Sequence, residues 1–231
     1  NRVREKNIIM LNPGAATADL TGKACSPNTL SFTYDTYMLA NGTSKALTKA
    51  GGDTWFFLTA DYAFGHAMER DATAVITANG GKVLGSVKHP INTADFSSFL
   101  LQAQASKAKV IGLANAGGDT TNAIKQAAEF GIVAHGQKLA ALLLFINDVH
   151  SLGLKTANGL NFTESFYWDL NDKTRAWSKR FSEKASKHAY PSMTQAGVYA
   201  AVRHYLKVLE AMGGNPHDGA KVVAKMKETV A

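Results

Sequence analysis

A single cysteine, Cys25, in a chain of 231 residues excludes an internal disulfide framework and any multi-cysteine zinc site. Five prolines and a charged fraction of 19% are equally at odds with a proline-rich linker, a collagen or a charge-driven disordered tail. No apolar run approaches the ~20 residues of a membrane-spanning helix. The longest, Leu139 to Ile146, has the length of a strand. A concentrated basic patch is missing too. The net charge is +7, but the basic residues are scattered as singles and pairs, such as Lys107 with Lys109, or spaced helically as Lys221, Lys225 and Lys227. That pattern argues against nucleic acid as a partner, because a phosphate-binding surface gathers its charge and interleaves it with exposed aromatics. What is present is a 45% hydrophobic composition, and a chain of this size removes roughly 70% of its unfolded surface from water. The opening Asn1-Arg-Val-Arg-Glu-Lys carries neither an initiator Met nor a signal peptide, which reads as a processed chain or a fragment.

The hydrophobic pattern alternates between short apolar runs and helical periodicity. A strand is expected at Asn7–Leu11 and a second apolar segment at Leu30–Tyr34. A helix should follow over Thr36–Ala50, capped by Asp35 and closed by Gly51-Gly52. Trp55–Leu58 reads as a buried strand, Thr59–Gly65 as a loop, His66–Asn79 as a helix ended by Gly80-Gly81, and Val83–Val87 as another strand. Asp95 should cap a helix bearing Phe96, Phe99, Leu100 and Ala103. Lys109–Leu113 is a strand, Asp119 caps a helix through Phe130 with Gly131 as its stop, and Leu139–Ile146 is one more strand. Beyond Asp169 the chain turns to two helices, Lys173–Ser186 and Met193–Met212. Strands alternating with helices of ten to fifteen residues imply βαβ crossovers and a parallel sheet buried on both faces, an α/β fold.

The loops that follow the strands are where such a sheet holds a ligand. They contain no phosphate-cradling Gly-x-x-x-x-Gly-Lys-Ser/Thr, no Gly-x-Gly-x-x-Gly, no Gly-x-Ser-x-Gly and no His-Glu-x-x-His, so the usual carriers of enzyme chemistry are missing. Histidines 66, 89, 135 and 150 stand apart from one another with no carboxylate at ligand spacing, so no metal site is expected. The loops carry small residues, hydroxyls and aromatics instead: Ala15-Ala16-Thr17, Tyr62 and Phe64, Asn115-Ala116-Gly117, Phe145 with Asn147 and Asp148, and Tyr167. Small residues let a ligand reach backbone N–H groups, and those amides together with a Thr hydroxyl hold a carboxylate without a lysine or arginine. Aromatics supply walls. The structural alternatives stay open: Gly117-Gly118-Asp119 is also a turn and N-cap, and Phe166-Tyr167-Trp168 is also plain packing.

The blocks Asn12-Pro-Gly-Ala-Ala-Thr-Ala-Asp-Leu20, Thr59-Ala-Asp-Tyr-Ala-Phe-Gly65, Asp95-Phe-Ser-Ser98, Asn122-Ala-Ile-Lys-Gln-Ala-Ala128 and Gln195-Ala-Gly-Val-Tyr-Ala-Ala201, in this order and spacing, resemble the periplasmic substrate-binding proteins of the branched-chain amino acid type. The resemblance implies a two-lobed, Rossmann-like α/β fold that closes on a small ligand and delivers it to an ABC-type permease, without catalysis or cofactor. It implies an incomplete first lobe in residues 1–51 and 190–231 and a nearly whole second lobe in 52–189. A truncated lobe of this kind would be prone to self-association. By resemblance, Ala15 offers a carbonyl and Thr17 a hydroxyl and amide to the ligand, Tyr62 and Phe64 cover it, and Ala116 widens the pocket where an aromatic often stands. Where amino-acid binders place an acid for the ammonium, this chain has Leu142-Leu143-Leu144. A buried ammonium without a partner costs several kcal/mol, which favours an aromatic carboxylate such as a benzoate or hydroxycinnamate. Should Asp148 replace the acid, a branched-chain amino acid is the ligand. A ligand-sensing domain of a regulator shares the fold. For Cys25, a free thiol and a bridge to another segment both remain open.

Overall fold

The structure, a computed structural model, describes residues 2–230 and divides the chain into two compact units. One combines the chain up to Tyr34 with the chain from Ser165 onward; the other is Asp35–Glu164. These divisions replace the expected breaks at 51/52 and 189/190.

The first unit opens with a one-turn helix, α1 (Arg2–Glu5), and two short parallel strands, β1 (Met10–Asn12) and β2 (Thr29–Ser31), in which Leu11 lies opposite Leu30. Strand β1 starts later than its apolar run suggests because Asn7 adopts a left-handed conformation, φ 49°, and turns the chain.

The second unit begins where Asp35 caps a helix, its carboxylate accepting from the Met38 amide at 2.8 Å. The helix runs as α2 (Thr36–Leu39), a π-helical stretch (Ala40–Ser44) and α3 (Lys45–Lys49). The π-turn sets the Thr43 and Thr163 hydroxyls 2.8 Å apart. Leu39, Ala40 and Leu47 are buried and the Thr36 hydroxyl donates to Asp71, which ties this helix to its own unit and explains why the division falls at residue 34. The sheet follows: β3 (Thr54–Ala60), α4 (Ala63–Ala78), β4 (Lys82–His89), α5 (Ser97–Ala105), β5 (Val110–Ala114), α6 (Gly118–Glu129), β6 (Lys138–Ala141), then α7 (Ile146–Leu152) and α8 (Leu154–Ala157). All four strands are parallel, in the order β4-β3-β5-β6.

The central strands are buried: Trp55, Phe57 and Leu58 of β3 and every residue of β5. Each large apolar side chain so placed contributes about 1.5–3 kcal/mol. Burial on both faces does not extend to β4, an edge strand whose residues alternate between exposed and partly buried up to the buried His89 at its end. Strand β6 ends at Ala141, well short of Ile146. Leu142, Leu143 and Leu144 are buried but form a bend, and the Ala141 amide donates to the Asn161 carbonyl. Helix α4 begins at Ala63 rather than His66. Asp95 acts just ahead of α5, accepting from the Ser97 amide at 2.8 Å. Asp119 does not cap α6: Gly117 is the N-cap, at φ 59° and ψ −129°, a conformation open essentially to glycine alone, and the Asp119 carboxylate accepts from the Asn92 amide instead. Gly51, Gly80 and Gly131 stop their helices at positive φ as the sequence predicts.

The chain then returns to the first unit with α9 (Asp172–Ser182), α10 (Met193–Ala211) and α11 (Gly219–Glu228). Trp177 of α9 lies against Phe166 and Tyr199, centroids 5.4 and 5.2 Å apart, which places α9 in this unit and accounts for the division at Ser165. Val208, Val222 and Met226 form its core with Ile9, Leu11, Leu30 and Phe32. Among the described residues no helix is long and apolar enough to cross a membrane.

Candidate functional site

From β3 the chain crosses through α4 to β4 on one side, then returns past β3 to β5 and β6 on the other. The connections leaving β3 and β5 therefore diverge, and the crevice outside their carboxyl ends is the topological switch point, the place where open parallel sheets hold ligands. Tyr62 and Phe64 stand in the connection after β3, with ring centroids 5.9 Å apart. Ala116 and Gly117 stand in the connection after β5. Tyr62 and Gly117 are exposed, Phe64 and Ala116 partly so.

Two helices begin here, α4 after Tyr62 and α6 after Gly117, and neither N-terminus receives a side-chain cap. The first N–H groups of a helix have no partner inside it, so both ends present donors and positive helix-dipole charge to the crevice. The close approach of α4 depends on Gly65. A Cβ at that position would lie 2.0 Å from the Ala60 carbonyl oxygen and 3.1 Å from that of Ala114, at the ends of β3 and β5.

Helix α7 is different. The Phe145 amide donates to Asp148 at 3.0 Å and the Ile146 amide to Glu164 at 2.8 Å, so carboxylates of the chain itself already occupy its N-terminus. Phe145, Asn147 and Asp148 are partly buried. Burial pushes the Asp148 carboxyl above its usual range, opposed by the Phe145 amide. The charged form is then less favoured in the folded chain than in the unfolded one, so this group's contribution to stability rises as pH falls toward that pKa. Asp148→Asn keeps an acceptor for Phe145 and removes the charge. It should raise the thermal midpoint at pH 7, with the gain shrinking as acid protonates the wild-type carboxyl. A midpoint lowered at pH 7 would contradict this.

Asn115, expected to contact ligand, has a different task. It is fully buried, accepts from the Thr120 hydroxyl at 2.7 Å, and donates to His89 Nε2 at 3.1 Å. His89 in turn donates from Nδ1 to the Pro90 carbonyl at 2.8 Å. This closed chain of bonds fixes the imidazole tautomer and pins the end of β4 to the end of β5.

In the first unit, Ala15, Ala16 and Thr17 lie on a loop built by Asn12, which the sequence does not advertise. The Asn12 side chain accepts from the Gly14 and Ala15 amides and donates to the Ala15 carbonyl and the Ser31 hydroxyl. The Ala15 carbonyl is thus already engaged, and Ala16 is buried. Thr17 caps a 3-10 turn (Ala18–Leu20), its oxygen accepting from the Asp19 amide at 3.3 Å. Tyr167 is 40% exposed and sits beside Trp168, whose ring stacks on Tyr190 at 4.3 Å. Cys25 is an exposed free thiol, and among the described residues no three His, Cys, Asp or Glu side chains gather as a metal site.

Residues 1–230 match a family described as periplasmic binding proteins. A crystal structure of a periplasmic binding protein from Burkholderia mallei is 52% identical, with a TM-score of 0.93, over 98% of this chain and 59% of that one. A branched chain amino acid ABC transporter periplasmic ligand-binding protein from Burkholderia xenovorans LB400 is 36% identical, TM-score 0.83, over 99% of this chain and 60% of that one. The solute binding protein of an ABC transporter from R. palustris, solved with benzoate, shares the fold at 23% identity and TM-score 0.85, over 97% of this chain and 61% of that one. The chain also spans 58% of the length of the curated relatives it matches.

Proposed function

Because the chain belongs to the periplasmic binding protein family, we propose that it is the ligand-holding part of a periplasmic solute-binding protein that serves an ABC-type permease without catalysing a reaction. Its ligand in this reading is a small carboxylate that lacks an ammonium group, such as a benzoate or hydroxycinnamate. The observation that carries the reading is the pair of uncapped helix N-termini, α4 and α6, at the switch point between β3 and β5. They hold a carboxylate, and Tyr62 and Phe64 flank an aromatic ring. Ala116 and Gly117 leave room for it. The carboxylates at this edge favour an amine-free ligand because each is engaged: Asp61 with His66 at 2.8 Å, Asp119 with Asn92, Asp148 with Phe145 and Glu164 with Ile146. Asn115 supports the edge from behind and Asn12 supports the Thr17 loop.

A second reading, a branched-chain amino acid, is favoured by the description of the Burkholderia xenovorans relative and requires Asp148 or Glu164 to take the ammonium. A thermal-shift panel separates the two. Ligand at a hundred times its Kd stabilises by about 2.7 kcal/mol, or roughly 5–10 °C for a chain of this size. Benzoates or hydroxycinnamates should give such a shift, and Phe64→Ala should abolish most of it. A shift confined to leucine, isoleucine and valine, and lost in Asp148→Asn, would establish the second reading instead.

A further inference from the structure

Helices α9 and α10 each carry an aromatic residue and an arginine one helical turn apart: Trp177 with Arg180, and Tyr199 with Arg203. The two pairs meet, because the Trp177 and Tyr199 rings lie 5.2 Å apart at 51°. Phe166 closes against Trp177 from another side, at 5.4 Å and 85°. All five residues border one hollow of about 580 Å³, whose lining lies wholly within the first unit. Sites for small molecules measure about 300–1,000 Å³. Where α10 reaches the hollow beside Tyr199 it has Ala196, Gly197 and Ala200, none large enough to fill the space. The floor is fixed. Gly197 packs so closely on the end of β2 that a Cβ there would collide with the Thr33 side chain, and the Ser165 amide points at Met193 Sδ, 3.5 Å away.

The charge of the hollow has one sign. No carboxylate lines it. Arg180 reaches only the Ala176 carbonyl of its own helix, at 3.4 Å, and among the described residues Arg203 has neither a hydrogen bond nor an ion pair. Arg175, also on α9, shows the contrast: its guanidinium holds Asp169 at 2.8 Å and Asp172 at 2.9 Å. Two guanidiniums without acids, each a turn away from an aromatic wall, offer planar forks to carboxylates and ring faces to a flat body.

We propose that this hollow is a second ligand site, separate from the switch point, and that it takes an aromatic acid with two carboxylates. The ring lies against Trp177 and Tyr199, one carboxylate pairs with Arg180 and the other with Arg203. The proposal does not rest on the reading of α4 and α6, which belong to the other unit, and it fails or holds separately from that reading.

The test is calorimetric titration of the chain with benzene-1,4-dicarboxylate in a Phe64→Ala background, which removes the aromatic wall of the switch point. The expected result is saturable binding, weakened roughly tenfold or more by Arg180→Gln and by Arg203→Gln. Both substitutions should leave the thermal midpoint of the free chain unchanged, since both side chains are exposed and neither holds a carboxylate. Cyclohexane-1,4-dicarboxylate, with the same charges and no aromatic ring, should bind roughly fivefold or more weakly than the aromatic acid. In the wild-type chain the indole N–H resonance of Trp177 should shift saturably with the aromatic acid. Binding indifferent to both arginine substitutions overturns the proposal. So does binding that disappears in Phe64→Ala with no shift at Trp177, which assigns the acid to the switch point alone. Displacement by inorganic phosphate at equal concentration also overturns it, because the arginines would then be a charged surface without selectivity for the ring.

Discussion

Gly65→Ala should lower the thermal midpoint by about 6–12 °C, corresponding to a loss of about 3 kcal/mol. The added methyl would stand 2.0 Å from the Ala60 carbonyl oxygen, a backbone atom of a central strand that cannot rotate aside. Either α4 withdraws from the sheet or β3 bends at its carboxyl end. Both responses displace Tyr62, Phe64 and the α4 amides, so ligand affinity should fall together with stability. Gly14→Ala is the matched control: a Cβ there meets nothing within 4 Å, and the substitution should shift the midpoint by less than about 1–2 °C. Equal effects at the two positions would show that α4 does not lie as close to β3 as described.

Asn115→Leu should cost about 2–5 kcal/mol, because it strands two buried groups at once: the Thr120 hydroxyl, which loses its acceptor, and His89 Nε2, which loses its donor. The shape of the side chain is nearly kept, so the loss reports hydrogen bonding rather than a cavity. The cost should be non-additive. Once Asn115 is leucine, Thr120→Val removes a hydroxyl that has no acceptor, and the double variant should be at least as stable as Asn115→Leu alone. His89 remains packed edge-on to Phe96, with centroids 4.8 Å apart, so the ring should stay in place when its polar partner is lost. Strict additivity of the two substitutions, measured by denaturant unfolding, would mean that the three side chains do not act as a network.

The alternation of strands and helices was legible because period and punctuation agree. Continuous apolar runs mark β3 and β5, and Gly51, Gly80 and Gly131 mark helix ends that need positive φ. The misreadings share a physical origin in competition between local and distant partners. Asp119 has the chemistry of an N-cap, but the Asn92 amide, distant in sequence, takes its carboxylate, and Gly117 supplies the cap conformation instead. Leu142–Leu144 has the hydrophobicity of a strand, yet β6 ends at Ala141, the last amide bond to β5 comes from Leu142 to the Leu113 carbonyl, and the three leucines are buried where the chain bends away. Thr59–Gly65 has the composition of a loop, yet α4 starts inside it, since Gly65 permits a contact with the sheet that no propensity scale registers.

At the candidate site, residue types pointed to loops after the strands without revealing what each side chain does there. Tyr62, Phe64, Ala116 and Gly117 share the switch-point edge, whereas Asn115 lies behind it in a closed network. Asn12 and Glu164 went unnoticed because each works through backbone amides. A sequence shows that an amide-binding side chain is present but not which amide it reaches.

The central claim is that the first amides of α4 and α6 hold a carboxylate, and it is tested most directly by residue-resolved NMR during a titration with benzoate and, separately, with leucine. The account predicts that benzoate perturbs the amide resonances of Phe64, Gly65 and Gly118 in a saturable manner, while leucine leaves them unmoved. It would be contradicted if benzoate produced no saturable change at those amides, or if leucine alone did so together with Asp148 and Glu164.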